Sequence, residues 1–491
     1  MFIDQVVPGL IALVPVFVAV ACILLRISPI VSAGLGVLSA LTVGILVFPE
    51  PLVVWGTGVL LQSPLWVEVV LIMLGGLLLA RVQEASGYMR TLSAWLLRSV
   101  PGPTAGAALV VWGIVPFAET VTGYGVGVTI GIPILVHLGF RPLRAAFLGV
   151  LGMVMAPWGS MGPGTRIAAG LGRVDLKEIG IEGAWINAAA ILVTVVVATY
   201  TLRFHRRDHT EKIILWNSLG GVCLWAGILV ANVLVGTPVA GVLGGLFVIG
   251  VMFLVFRLQR NDVHMSRRVV LAMTPYLALL LGSVTASLLA DILLTAFGPA
   301  LTTVLTSPAL WLVVGGLTSL FVSSRRWGGQ QPEPWDVGST MLTVVRAWVP
   351  AATATLGFLF LGFVLTTTDM AAAIGGLLTL TGPIGFLWAG GLLSVLGGVV
   401  TASGTGTNAM FASTFGLGAD TLDMDRTLVM ASMNGVGAIG SNASVGRALL
   451  ASQVAGATRK QRGTLLFYLL AWVAGVYLAM LGLVSLILVA G

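Results

Sequence analysis

The first group in this chain with chemical potential is a carboxylate set into hydrocarbon. In the stretch FAETVTGYGVGVTIGIPI, Phe117 to Ile134, Glu119 is followed by Gly123, Gly125 and Gly127. A buried acid and a glycine-broken helix are each costly in a bilayer, so finding both together points to a function that requires them. Low dielectric favours the neutral form of a carboxyl group, and Glu119 can then load and release a proton. Interrupting a helix at TGYGVG frees backbone N–H groups, which gather positive partial charge and can hold an anion. Thr122, Gly123, Tyr124 and Gly125 are the candidate contacts there. The competing reading is that Glu119 only caps freed backbone groups and the glycines only let helices pack closely.

A second stretch, TASGTGTN from Thr401 to Asn408, offers the same device with more side-chain donors. Its candidates are Ser403, Gly404, Thr405, Gly406, Thr407 and Asn408. Two such tips facing one another can clamp a small carboxylate and its hydroxyl. Arg166 and Arg447 can each neutralise a substrate carboxylate through a bidentate contact. Both can equally snorkel to an interface. The stretch MNGVGAIGSNAS, from Met433, adds Asn434, Ser441 and Asn442, neutral donors suited to a hydroxyl or to interhelical hydrogen bonds. His137 reads as an interfacial residue, and Glu68 and Asp291 read either as coupling groups or as residues facing a polar crevice.

The elements that position these residues follow from composition. With 57% hydrophobic and 9% charged residues and a mean hydropathy of +1.04, the chain is far more apolar than a soluble domain of its length. It reads as an all-α polytopic membrane protein. The opening MFIDQVVPGL has no basic segment or small-residue cleavage pattern, so the first apolar run is expected to be a retained span. Its two cysteines exclude a disulfide framework or a cysteine metal site. The net charge of +7 lies mostly in short loops, which is a topology signal and not a nucleic-acid groove. No cofactor is implied.

Taking about 20 apolar residues per span, the sequence predicts twelve spans. They lie near 6–25, 27–48, 65–80, 142–160, 183–202, 213–232, 237–256, 268–296, 301–322, 340–366, 426–443 and 463–490. Two glycine-rich regions, near 104–138 and 383–417, are expected to be re-entrant helical hairpins. The segment 53–62 is too short to span and has no assignment, and 81–98 is expected to be an amphipathic helix on the inner surface. Placing Arg26 inside puts the other basic loops, from Arg203, Arg257, Arg325 and Arg459, inside as well, with both termini outside.

Laid on itself at a shift of 281 residues, the chain matches Thr120 to Thr401, Gly123 to Gly404, Gly125 to Gly406, Gly159 to Gly440, Ser160 to Ser441 and Arg166 to Arg447. The matches cluster in the broken regions and the spans after them. The expected organisation is therefore two inverted repeats, 1–205 and 267–491, each with five spans and one hairpin, joined by a two-helix connector at 206–266. Inverted repeats with interrupted helices are the layout of secondary transporters, with substrate held near the midplane.

At these residues the chain resembles the L-lactate permease family. The likeness is closest in FAETVTGYGVGVTIGIPI and continues through GFRPLRAAFLG, WGSMG and SGTGTNAMFAS. The resemblance implies a proton-coupled importer of lactate, glycolate and similar 2-hydroxy monocarboxylates in a bacterial inner membrane. Its partners would be a small organic anion, a proton and the lipid bilayer, without nucleic acid. Family members typically carry an acidic residue near the position of Gly404 and a lysine near Ser441, and this chain has neither. A dicarboxylate or gluconate-type acid therefore stays open as substrate, as does a passive anion channel. An intramembrane enzyme lacks its motifs, since no HExxH or DDxxD occurs and histidines number only four.

Overall fold

The computed structural model describes residues 2–25, 27–123, 125–203, 210–259, 265–324 and 335–490. Tyr124, Arg26, Arg325, Arg326 and parts of the loops after Arg203 and Arg257 lie outside the described residues. All described secondary structure is helical, as expected where the surroundings offer no water to unpaired backbone groups.

The chain opens with α1 (Phe2–Leu24), α2 (Pro29–Val47), α3 (Leu52–Ala85) and α4 (Tyr88–Ser99). The first broken region follows as α5 (Pro103–Leu109), a π-helical turn (Val110–Ile114), α6 (Val115–Thr122) and α7 (Val126–His137). Next come α8 (Pro142–Leu151), a 3-10 stretch (Gly152–Met161), α9 (Pro163–Gly172) and α10 (Leu176–Arg203). Then follow α11 (Thr210–Leu234), α12 (Thr237–Leu258), α13 (Arg267–Leu288), α14 (Ala290–Thr306), α15 (Pro308–Ser324), α16 (Val337–Thr367) and α17 (Met370–Thr379). The second broken region is α18 (Gly382–Thr401) and α19 (Gly404–Thr421), followed by α20 (Arg426–Gly440), a 3-10 turn (Ser441–Ala443), α21 (Val445–Val454) and α22 (Arg459–Ala490).

Twelve helices among the described residues are long and apolar enough to cross a bilayer. That number agrees with the sequence reading, but the membership differs. Residues 53–62, without an assignment from the sequence, form the first turns of the 34-residue α3. Pro64 does not break that helix, because the Ser63 hydroxyl donates to the Leu60 carbonyl, the group the proline leaves without its N–H. The expected spans 268–296 and 301–322 are instead three helices, α13, α14 and α15, with α14 and α15 bent by 61° around Ser307 and Pro308. The expected span 426–443 is the 15-residue α20 with a 3-10 turn, too short to cross alone. The amphipathic segment 81–98 is divided at Gly87, whose φ of +74° ends α3 and turns the chain into α4. Conversely, Pro103–Thr122 and Gly382–Thr401, each placed within a hairpin by the sequence, are 20 residues long and could each cross.

Burial separates a lipid-facing shell from an inner bundle. Only 33% of the Val6–Leu24 window is buried, against 94% of Pro103–Thr122. The inner bundle comprises the first broken region, which packs on the 3-10 stretch, and α9, α19 and α20, which pack on one another, α9 and α20 also touching the 3-10 stretch. Helix α9 packs along α19, α10 packs on both α20 and α22, and α18 packs on α20. Buried polar pairs tie distant segments, as where the Trp472 indole donates to Thr194 Oγ1 at 3.0 Å.

Glycine sets the closest approaches. A Cβ at Gly362 in α16 would overlap the carbonyl of Ala409 in α19, and one at Gly398 in α18 would overlap the carbonyl of Gly437 in α20. Backbone carbonyls cannot give way as a flexible side chain can. Gly362→Ala is therefore expected to destabilise the protein by at least about 1–3 kcal/mol. Gly376→Ala in α17, with no neighbouring atom within 4 Å of the added methyl group, should be neutral or slightly stabilising. Thermal unfolding of the two purified variants in detergent checks this; equal midpoints would contradict the tight α16–α19 contact.

Candidate functional site

The first break is shaped by two glycines. Helix α6 ends at Thr122, and Gly123 and Gly125 take φ values of +70° and +80°, which L side chains rarely adopt. The turn folds the start of α7 back over the end of α6. Glu119, three residues before the end of α6, spans the gap. Its Oε1 accepts the Gly125 N–H at 3.1 Å and its Oε2 accepts the Gly127 N–H at 3.2 Å. The N–H groups expected to be open for a ligand at this tip are thus already occupied by a carboxylate from the same chain.

A cation completes that arrangement. Arg447 Nη1 lies 3.4 Å from Glu119 Oε1, joining residues 328 positions apart. Both side chains are largely buried, at 14% and 6% exposure. The cation is set by local capping: the Ser444 hydroxyl accepts the Arg447 N–H and so fixes the start of α21. Ser160 closes the break from the other side, its hydroxyl donating to the Thr122 carbonyl at 3.0 Å.

The second break is built differently. Helix α18 ends at Thr401, Ala402 takes the left-handed φ of +55°, and Ser403 caps α19 by accepting the Gly406 N–H at 3.1 Å. The Thr401 hydroxyl donates to the Ser403 carbonyl, which holds the tip closed. The amides of Gly404 and Thr405, in the first turn of α19, have no acceptor among the described residues, as the geometry of a helix start dictates.

Both tips meet at one cavity of about 380 Å³, within the range of ~300–1,000 Å³ typical of small-molecule sites. Glu119, Gly123 and Ser160 line it from the first half of the chain, and Ser403 to Gly406, Asn434, Ser441 and Arg447 from the second. The first residues of α9, Pro163 and Gly164, and of α21, Gly446 and Arg447, also reach its wall. Three helix N-termini and one guanidinium thus border the cavity, with Glu119 as its single carboxylic acid among the described residues. That field favours an anion. Ser160, Ser441 and Asn434 supply neutral groups beside it.

Several candidates lie off the cavity wall. The Thr122 hydroxyl bonds the Ala118 carbonyl, Gly125 is committed to Glu119, and the Thr407 hydroxyl bonds the Ser403 carbonyl. Asn408 donates to the Gly164 carbonyl and to Asn434 Oδ1, and Asn434 donates in turn to Thr165 Oγ1. This network links α9, α19 and α20 behind the tip. Arg166 is not beside Arg447: its Nη1 is 3.2 Å from Glu68 Oε2, at a second and larger cavity. His137 bonds the Pro133 carbonyl through Nδ1 within α7, and Asp291 is in the first turn of the exposed α14. No cluster of three or more His, Cys, Asp or Glu that could hold a metal is formed among the described residues.

Ser160 and Gly164 line the cavity and Thr165 lies in the network behind it, and none of the three is among the candidates named from the sequence. For Ser160 a signal existed, because the 281-residue shift that aligns it with Ser441 already paired it with a selected residue. Gly164 and Thr165 carry no local signal, since their roles come from the packing of α9 on α19.

Comparison with known proteins places the chain in a family. The family model described as L-lactate permease matches residues 8–297, which include the whole first broken region and α9. A putative L-lactate permease of Haemophilus influenzae is 30% identical over 131 residues, 26% of this chain and 25% of that protein. An L-lactate permease of Streptococcus iniae is 27% identical over 191 residues, 37% of this chain and 38% of that protein. These alignments span well under half of either relative's length. With the family model covering more than half of the chain, this multi-pass membrane protein belongs to the L-lactate permease family.

Proposed function

We propose that the protein carries a small 2-hydroxy monocarboxylate, L-lactate or glycolate, across a bacterial inner membrane together with a proton. The observation that carries the reading is the Glu119 carboxylate, which rests on two amides and Arg447 at the wall of an anion-favouring cavity. Glu119 stands in for the substrate carboxylate there. While ionised, it holds Arg447; once protonated, it no longer neutralises the guanidinium, and an incoming carboxylate takes its place. Proton and anion then bind cooperatively, because each removes the penalty the other would face alone. The loaded site holds one guanidinium, one substrate carboxylate and a neutral acid, so it can cross the low-dielectric interior without net charge from substrate and Glu119–Arg447. The substrate hydroxyl finds partners in Ser160, Ser441 and Asn434, all at the cavity.

Alternating access follows from the layout in this reading. One broken region and its following span from each inverted repeat, 1–205 and 267–491, move against the remaining helices, including the connector 206–266. With the basic loops inside, the cavity opens inward, since it includes Pro29 at the inner end of α2 and Leu450 on the way to the basic segment from Arg459. A dicarboxylate is less well supported, because Arg166 and Arg447 line different cavities. A passive channel is less well supported too, because the Asn408–Asn434–Thr165 layer separates those cavities.

In proteoliposomes with an inward proton gradient, the wild-type protein should accumulate labelled L-lactate. Glu119→Gln should lose gradient-driven accumulation by on the order of tenfold or more while retaining lactate exchange, since Gln mimics the protonated acid. Undiminished accumulation by Glu119→Gln would remove the coupling role.

For Arg447→Gln, loss of one charge-assisted contact of about 1.5–3 kcal/mol should raise the KM for lactate about 10- to 100-fold, with Arg447→Lys intermediate. A KM unchanged in Arg447→Gln would place the substrate carboxylate elsewhere.

A further inference from the structure

The second cavity has a volume of about 1,040 Å³ and is separate from the site of Glu119. Four helices line both. Helix α3 gives Met73 to the first cavity and Glu68 and Leu71 to the second, and α9 gives Gly164 to the first and Arg166 and Gly170 to the second. Helix α16 gives Phe358 and Thr366, and α19 gives Thr405 and Ser413, in the same order. The cavities therefore follow one another along these helices, with the hydrogen-bonded layer of Thr165, Asn408 and Asn434 between them. With the basic loops inside, the second compartment faces outward, because Leu176 at its rim begins α10, which runs to the inner loop after Arg203.

The chemistry of its wall parallels that of the inner site. Arg166, the residue aligned with Arg447 at the 281-residue shift, is paired with a glutamate from another helix, Glu68, at 3.2 Å. Exposures of 28% and 15% leave the pair reachable from the cavity. Glu68 has a second partner, the Ser307 hydroxyl at 2.7 Å, and so keeps a donor if Arg166 turns away. Arg173 at the rim has no acidic partner among the described residues, while the nearby Asp175 is committed to the Lys177 and Glu178 amides at the start of α10. The wall thus carries two guanidinium and two carboxylate groups, and Arg173 is the cation left to meet an anion without breaking an existing ion pair. The hydroxyls of Thr366 and Ser413, 2.9 Å apart, offer hydrogen-bond partners to a hydroxy acid.

We propose that this compartment is a loading site for a small carboxylate anion, held by Arg166 after exchange with Glu68 and drawn in by Arg173, before it passes the Thr165–Asn408–Asn434 layer. The proposal rests on the reading that the chain carries such anions. A single reporter cysteine, Thr366→Cys or Gly170→Cys, is introduced with Cys22→Ser and Cys223→Ser in the full-length protein in detergent. Its reaction with a cationic methanethiosulfonate is timed with and without L-lactate, chloride serving as control. Lactate should slow labelling severalfold, and the slowing should survive Arg447→Gln but disappear in Arg166→Gln, with Arg166→Lys intermediate. Slowing that persists in Arg166→Gln, that vanishes in Arg447→Gln, or that is absent at both reporter positions in protein running as a single gel-filtration species would overturn the loading site. Gradient-driven uptake retained by Glu119→Gln alongside Arg166-dependent slowing would count against proton coupling through Glu119 and leave the loading site standing.

Discussion

A carboxylate in the interior of an apolar bundle must find donors or lose its charge, and much of this structure is organised around satisfying one. Glu119 is reached by two amides only because Gly123 and Gly125 adopt left-handed conformations that fold α7 back over α6. It is reached by a guanidinium only because α21, capped by Ser444, starts where Arg447 can cross to the first half of the chain. Ser160 fills the remaining side of the break, its hydroxyl occupying the space a side chain at Gly123 would need. Removing any one of these leaves a buried polar group without its partner, and such losses are expensive in low dielectric.

The same constraint explains what could be read from residue types alone. An acid beside three glycines within an apolar run has few explanations in a membrane, so the break and the placing of Glu119 beside it are legible in the residue types. The apolar runs fixed the helical class and the number of helices able to cross. The partner of Glu119 was not legible. Nothing near Arg447 in the chain distinguishes it from Arg166, and both align in the internal match. Only packing sends one to Glu119 and the other to Glu68.

Element boundaries failed where local chemistry repairs what composition seems to break. Gln62, Ser63 and Pro64 look like the end of an apolar segment, yet one hydroxyl restores the lost hydrogen bond and α3 runs on for 34 residues. The opposite error came at α20, where an apolar, glycine-rich run of span length is a short helix inside the bundle. Hydropathy cannot separate a helix facing lipid from one facing other helices, because both surroundings are apolar.

The two breaks align at several positions, yet they are chemically unequal. One is filled by a carboxylate from its own helix; the other leaves two amides of α19 facing the cavity and carries alanine, not glycine, at its left-handed corner. Likeness of framework therefore brings no redundancy. Between the two breaks, the carboxylate is found on α6 and the two amides without an acceptor among the described residues on α19, so neither break can stand in for the other.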